Sequence, residues 1–341
     1  MDLVIANLEN PLVDGGCAVP GKCTLRGAVG WAQVLKDVGV HAVTLANNHI
    51  MDYGKEGLLS TLDALDQAGI QYVGAGQDIA GAEGPLLFNI KGKKIALIAR
   101  TSVVVASPSY AGESAPGVAF FDLEQTVEMV GHLKKTSDYV VLLIHWGLEE
   151  YLYPSPDQRK QAKILVEAGV DLILGHHPHV LQGTESIQTS LVNYSAGNFF
   201  FDEFFWSFIN RDGEPQEAFS KLSDDNRKGM ILQVEFLGQH LKYDCTPTFI
   251  EETGTIRVEQ LPARTKQLKR LSAVLKWPFY SRLWRLYAVK KEFQLRILPM
   301  ISGKLTWSTL KKVRLRHFKQ LFGAIRRSSK IASEKSTNPY E

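Results

Sequence analysis

Between Asp171 and Gln182 the chain reads DLILGHHPHVLQ, and this stretch restricts the fold more than any other. Leu172 to Leu174 is a short, wholly apolar run, which suits a strand buried on both faces of a sheet. Gly175 breaks the run where the backbone must turn closely. Pro178 fixes φ and bars a helix, so His177 and His179 are expected on a stiff turn at the carboxyl end of that strand. Open α/β sheets put their ligands at such strand ends. Two neutral imidazoles on a rigid turn lose little entropy on engaging Zn²⁺ or a similar ion.

The same strand-then-polar-tip pattern recurs along the chain. Leu3 to Leu8 is apolar and ends in Glu9. Ala28 to Asp37 has helical spacing, and the following HAVTLA run ends in Asn47, Asn48 and His49. Lys55 to Ala68 repeats leucines at i, i+3 and i+4, a helix stopped by Gly69, and Gln71 to Val73 is a short strand. Leu86–Ile90 and Lys94–Ala99 flank Lys91-Gly92-Lys93 as a hairpin. Ser107 to Gly117 is a long Ser/Pro/Gly loop, and Asp122 caps a helix to Lys135. Tyr139 to Ile144 is the most apolar strand and delivers His145. A helix over Pro156–Ala168 precedes the histidine strand. Leu191 to Ala196 leads to Gly197-Asn198, and Met230–Phe236 alternates like an antiparallel strand. Trp206 to Lys228 reads as a polar loop. Alternating helices and strands imply a layered α/β domain with mixed strand directions and two sheets.

Composition bears on partners rather than on fold. From Arg264 to Lys330 there are 19 Lys or Arg and one acidic residue, Glu292, within a chain whose formal net charge is only +3. An acidic body therefore carries a basic tail. The three cysteines, Cys17, Cys23 and Cys245, are too sparse for a disulfide framework. The start has no basic n-region of a signal peptide, and no apolar run is long enough for a membrane helix.

Collected at separate strand ends, then, are Glu9, Asn47-Asn48-His49, His145, and His177 with His179. A carboxylate, amide oxygens and imidazoles suit two cations that polarise an ester and ionise a bound water. Each tip has a plainer reading. Glu9 could simply end a strand, Asn48 could cap a turn, His145 could be a satisfied core histidine, and Asn198 could shape a turn. The aromatics Phe199 to Trp206 could be ordinary packing.

The segments NLENPL, VTLANNHIMDYGKEG, IHWGLEE, GHHPHVLQGTE and YSAGNFFFD resemble, in order and rough spacing, the CapA family, named for poly-γ-glutamate capsule synthesis. The resemblance covers about residues 1–250. It implies a calcineurin-like metallophosphoesterase frame, a four-layer α/β sandwich over residues 1–254 with a dinuclear site of Mn, Zn or Fe. It further implies Glu9 as a bridging carboxylate and Asn48, His145, His177 and His179 as metal ligands. His49 is then the general acid, oriented by Asp52. Asn47, His176 and Asn198 remain candidates for substrate contact. Relatives usually open with an earlier strand ending in Gly-Asp, whose Asp binds metal. This sequence starts almost at NLE, so the expectation is a truncated or late start, with one metal position otherwise short of its carboxylate.

The resemblance implies a role in synthesis, release or transport of an anionic surface polymer, with metal-bound hydroxide as nucleophile in an enzymatic version. A polymer-binding scaffold for a membrane-bound synthase and a general phosphodiesterase are the alternatives. Residues 255–330 read as a basic, aromatic-spotted helical extension suited to a membrane surface, a polyanion or a solvated cap, with no specific nucleic-acid motif. Residues 331–341 read as a disordered end.

Overall fold

The chain begins as a short strand, β1 (Ile5–Asn7), crosses through helix α1 (Trp31–Asp37), and returns as β2 (Ala42–Thr44), parallel to β1. The computed structural model describes residues 1–20, 22–103, 109–209, 215–238, 240–259 and 262–294. Helix α2 (Gly54–Ala68) buries Leu58, Leu62 and Leu65 on one stripe and stops at Gly69, whose φ of 66° is a left-handed value that costs glycine nothing. Next come β3 (Gln71–Val73), β4 (Ala75–Gly76) and α3 (Ile79–Glu83). The strands β5 (Leu86–Ile90) and β6 (Lys93–Thr101) form a hairpin whose turn residues Lys91 and Gly92 both take positive φ, as a tight antiparallel turn demands.

After β7 (Gly117–Val118), helix α4 (Leu123–Leu133) is capped by Asp122, whose carboxylate accepts from the Gln125 amide at 2.9 Å. Strand β8 (Tyr139–His145) is buried at every residue. Helix α5 (Pro156–Ala168) starts on a reciprocal capping box of Ser155 and Gln158, and leads to β9 (Leu172–His176). Strands β10 (Thr184–Ile187), β11 (Ser190–Asn193), β12 (Phe204–Ile209), β13 (Pro215–Ser220), β14 (Lys228–Leu237), β15 (His240–Ile250) and β16 (Ile256–Val258) follow. Helices α6 (Pro262–Val274) and α7 (Tyr280–Glu292) close the described chain.

Two sheets dominate. One is β1-β2-β3, all parallel, with β1 at its edge; the other runs β10-β11-β9-β8-β6-β5. In the second, β11, β9, β8 and β6 are mutually parallel, and antiparallel β10 and β5 border them. Side-chain alternation then sorts the core into three apolar seams. Val140, Leu142 and Ile144 of β8 face α4, α5 and α7. Tyr139, Val141 and Leu143 on the opposite face meet Val73, Ala46 and Ile5 of the other sheet. Beyond that sheet, Val43 and Leu45 pack on α1 and α2. Helix, sheet, sheet, helix is the expected four-layer α/β sandwich.

The stretch Trp206–Lys228 departs from its reading as a polar loop. It contains most of a β12–β13 ribbon, registered Phe204↔Ser220 through Ile209↔Pro215. Its FFWSFI run has no apolar–polar alternation to mark a strand, and Phe205 and Phe219, 4.7 Å apart across the strands, are both exposed. Strand pairing also continues past residue 254, where β16 joins β15. Helix α7 sends Tyr280, Trp284 and Ala288 into the same seam as β8. The end at 331–341 lies outside the described residues, as does the tail from 295. No helix among the described residues is long and apolar enough to cross a membrane.

Gly175 is required by crowding, since a Cβ there would stand 2.0 Å from the Tyr194 carbonyl oxygen and 2.6 Å from Trp146 Nε1. Gly175→Ala must displace backbone and is expected to cost about 1–3 kcal/mol or more, read as a lower urea midpoint at unchanged slope.

Candidate metal centre

Parallel register sets the centre. Thr101, His145 and His176 fall in one row across the carboxyl ends of β6, β8 and β9. Glu9 follows β1 by two residues, and Asn47 to His49 come shortly after β2. Both sheets thus deliver polar side chains to one end of the sandwich, where the strand ends of α/β folds leave a crevice.

Glu9, His177 and His179 each offer one ligand atom, and these atoms lie within 4.8 Å of one another. Glu9 Oε1 is 3.5 Å from His179 Nε2 and 3.7 Å from His145 Nε2. The His145 and His177 rings are 4.9 Å apart, and His145 Nε2 meets Asn48 Oδ1 at 2.7 Å. His49 Nδ1 meets Asp52 Oδ2 at 2.7 Å. His176 stands outside the group of three, beside His145 in the strand row.

The partners fix which nitrogens carry protons. Asn198 Nδ2 donates to the Asn226 carbonyl at 3.0 Å, so its Oδ1 faces His179 Nδ1, also 3.0 Å away. His179 Nδ1 therefore donates, and its Nε2 faces Glu9; an outer amide orienting a ligand imidazole is a recurrent arrangement. By the same logic His49 Nδ1 donates to Asp52, freeing Nε2.

Burial governs protonation. It pulls His177 down to about 3, helped by His179, and His176 down to about 4. His145 is held well below its ordinary value, first by burial and then by the surrounding histidines. For His179, burial also pulls down, but Glu9, the Asn198 bond and the acidic Glu149 and Glu150 outweigh it and leave the imidazole raised. Neutral His145 and His177 are the form that binds cations.

Backbone strain concentrates here too. His177 has φ 96° and His179 φ 55°, both left-handed, although neither is glycine. Each such residue costs roughly 1–3 kcal/mol and persists only where surroundings impose it. The restraints are visible: the Pro178 carbonyl accepts from Glu150 N at 2.9 Å, and the His176 carbonyl from Trp146 N at 3.1 Å.

Several supporting residues were not foreseen. Lys22 makes an ion pair with fully buried Asp52 and donates to the Asn48 carbonyl at 2.6 Å. It comes from a Gly/Pro-rich loop in which nothing singles it out. The Leu25 amide adds a 2.6 Å bond to Asp52 Oδ2. Asn226 Nδ2 donates to Glu150 Oε1 at 2.6 Å and to the His179 carbonyl at 3.2 Å. Asn7 Nδ2 donates to Glu9 Oε2 at 2.8 Å, leaving Oε1 for the centre. Asn47 is taken up by backbone, accepting from the His49 and Ile50 amides and donating to the Leu8 carbonyl at 2.8 Å.

The donor set fits a cation. Glu9 Oε1, His145 Nδ1 and His177 Nδ1 are buried with no hydrogen-bond partner, a cost of about 1–3 kcal/mol per group that a bound ion could offset at ligand atoms. One carboxylate, neutral imidazoles and an amide oxygen suit Zn²⁺, Mn²⁺ or Fe²⁺.

What fold and site together define is an α/β sandwich with an imidazole–carboxylate centre at its strand ends. Residues 1–203 match the family described as "Bacterial capsule synthesis protein PGA_cap", and the chain belongs to it. The Capsule biosynthesis protein CapA of Bacillus anthracis is 35% identical over 175 residues, 50% of this chain and 42% of that one. The PGA biosynthesis protein CapA of Bacillus subtilis is 34% identical over 206 residues, 59% and 54% respectively. The chain spans about half the length of these curated relatives. Among solved structures, the NAD nucleotidase of Haemophilus influenzae overlaps with a TM-score of 0.35 at 20% identity, over 71% of this chain and 43% of that one.

Two outcomes follow from this geometry. With metal chelated, His177→Gly should be more stable than His177→Ala by about 1 kcal/mol, because only glycine relaxes the left-handed backbone; urea melts of the pair measure it. Asp52→Asn strands Lys22 beside a neutral partner and should cost about 3–5 kcal/mol. The Lys22→Met/Asp52→Asn double variant should recover part of that loss in a thermodynamic cycle.

Proposed function

We propose that this chain serves the synthesis, release or transport of an anionic surface polymer of the poly-γ-glutamate type. Its strand-end centre binds divalent cations and hydrolyses a phosphoester or amide bond. The observation that carries this reading is the convergence of Glu9, His177 and His179, from two different sheets, on one small volume. Family membership gives the polymer its plausibility.

In this reading Glu9, His177 and His179 hold one cation, and His145 with Asn48 offers ligands for a second. Bound there, a divalent ion would supply Lewis-acid polarisation of the substrate oxygen and a more acidic attacking water. In its doubly protonated form His49 would give the Nε2 proton to the leaving atom and keep the Nδ1 proton on Asp52, leaving a neutral imidazole, with Lys22 balancing the Asp52 charge. Asn198 acts through His179, which it orients, and Asn47 braces the turn that carries Asn48 and His49. Residues 1–254 house the centre, and the extension from 255 serves attachment to a membrane-bound synthase system.

One observation favours a second reading. His145 Nε2 and Asn48 Oδ1 bond to each other at 2.7 Å, which satisfies the second position without an ion. A single-cation centre would then bind polymer carboxylates as a scaffold, without turnover.

Elemental analysis of the purified chain, paired with turnover of a generic phosphodiester and chain-length analysis of poly-γ-glutamate, separates the readings. Hydrolysis predicts two cations, and loss of about 10²–10⁴ in kcat for His49→Ala with cations retained. One cation and no turnover supports the scaffold. Turnover of the diester with the polymer untouched points to a general phosphodiesterase. Failure of Glu9→Gln or His177→Ala to lower metal content would sink both cation-based readings.

A further inference from the structure

Helix α7 is apolar on two sides. Tyr280, Trp284 and Ala288 recur at i, i+4 and i+8 and fill the seam against β8 and α5. On the side turned away, Leu283, Leu286, Val289 and Phe293 recur at helical spacing and are 38%, 69%, 38% and 43% exposed. A helix with one wet face normally keeps that face polar; a second apolar stripe implies a second apolar surrounding. The turn before α7 extends the stripe, with Trp277 51% and Phe279 63% exposed.

Charge identifies that surrounding. Arg270, Lys276, Arg282, Arg285 and Lys290 are all exposed around these residues. The sole acidic residue between Arg264 and Lys330, Glu292, is buried and accepts from the Tyr151 hydroxyl at 2.8 Å. Among the described residues, α6, α7 and the turn between them thus give the outer face cations and hydrocarbon but no exposed carboxylate of their own, and the neighbouring acids are Glu150 beside Lys291 and Asp157 near Arg285. A polyanionic polymer would need the cations but would leave the leucines and aromatics in water. An anionic bilayer uses both, taking the apolar stripe into the acyl boundary while Lys and Arg meet headgroup phosphates. A cleft of about 290 Å³ beside the turn, lined by Tyr153, Val274, Trp277, Leu283, Tyr287 and others including Arg270, has room for part of an acyl chain beneath a phosphate.

We propose that the outward stripe of α7, with the Trp277–Phe279 turn before it, docks on the surface of an anionic lipid bilayer. This surface is separate from the strand-end centre, and the proposal stands whether or not that centre is catalytic. Docking there also places the centre close to the lipid. Lys291 Nζ at the end of α7 lies 3.9 Å from Glu150 Oε2, and Glu150 is bonded through Asn226 to the backbone of His179.

The test is co-sedimentation of the full chain with phosphatidylcholine vesicles and with mixed phosphatidylcholine–phosphatidylglycerol vesicles, at low and high salt. The Phe279→Ser/Leu286→Ser/Phe293→Ser triple variant removes hydrocarbon without changing charge, and circular dichroism checks that it folds. Wild type should prefer the mixed vesicles, and the triple variant should bind them more than tenfold more weakly. Arg282→Gln/Arg285→Gln should weaken binding by about fivefold per charge at low salt. Unchanged binding of the triple variant would overturn the proposal, since adhesion would then come from charge alone. So would absent binding of wild type, a shift in oligomeric state of the triple variant alone, or soluble poly-γ-glutamate binding that depends on the same apolar residues.

Discussion

The His177-Pro178-His179 turn is the constraint on which the rest of the site depends. Both histidines adopt a left-handed backbone that their side chains disfavour, so the turn would relax if its surroundings let it. They do not, because β9 enters from a seam packed on both faces and Gly175 is pressed against the Tyr194 carbonyl. Rigid sheet packing is thus converted into a fixed direction for two imidazoles. Positions held this way cost stability, and proteins retain them where geometry serves a purpose.

Glu9, Asn48 and His49 come from the other sheet, so the distance between sheets sets the width of the centre. Small residues keep that distance short. A Cβ on Gly74 would stand 2.6 Å from Ala46 Cβ and 2.8 Å from Ala99 Cβ, and Ala42 is fully buried as well. A bulkier residue here would wedge the sheets apart and draw Glu9 away from the histidines. Distant packing and local chemistry are coupled through this narrow seam.

Much of this was legible from sequence because buried strands announce themselves. Tyr139–His145 and Leu172–His176 are uninterrupted apolar runs, and the amphipathic spacing of α2 and the caps of α4 and α5 follow from short-range rules. The ribbon β12–β13 sends no such signal, because its FFWSFI run lacks apolar–polar alternation and Phe205 and Phe219 are exposed. Lys22 and Asn226 were invisible for a different reason. Each acts through one long-range contact, Lys22 with Asp52 and Asn226 with His179 and Glu150, and a single contact across many residues leaves no periodic trace. The helical extension was read as basic and aromatic, yet its aromatics divide between a buried side and an exposed one. Composition cannot separate those sides, whereas a helix of known orientation does.

Asn226 links three segments at once: its Nδ2 donates to Glu150 Oε1 and to the His179 carbonyl, and its main-chain carbonyl accepts from Asn198 Nδ2. One residue, through its side-chain amide and its main-chain carbonyl, therefore makes three loops share a common length standard. Adding or deleting a residue in any one of them shifts the other two out of register with the shared group, so these loops must change together across generations or not at all. The β12–β13 ribbon instead presents Phe205 and Phe219 to solvent.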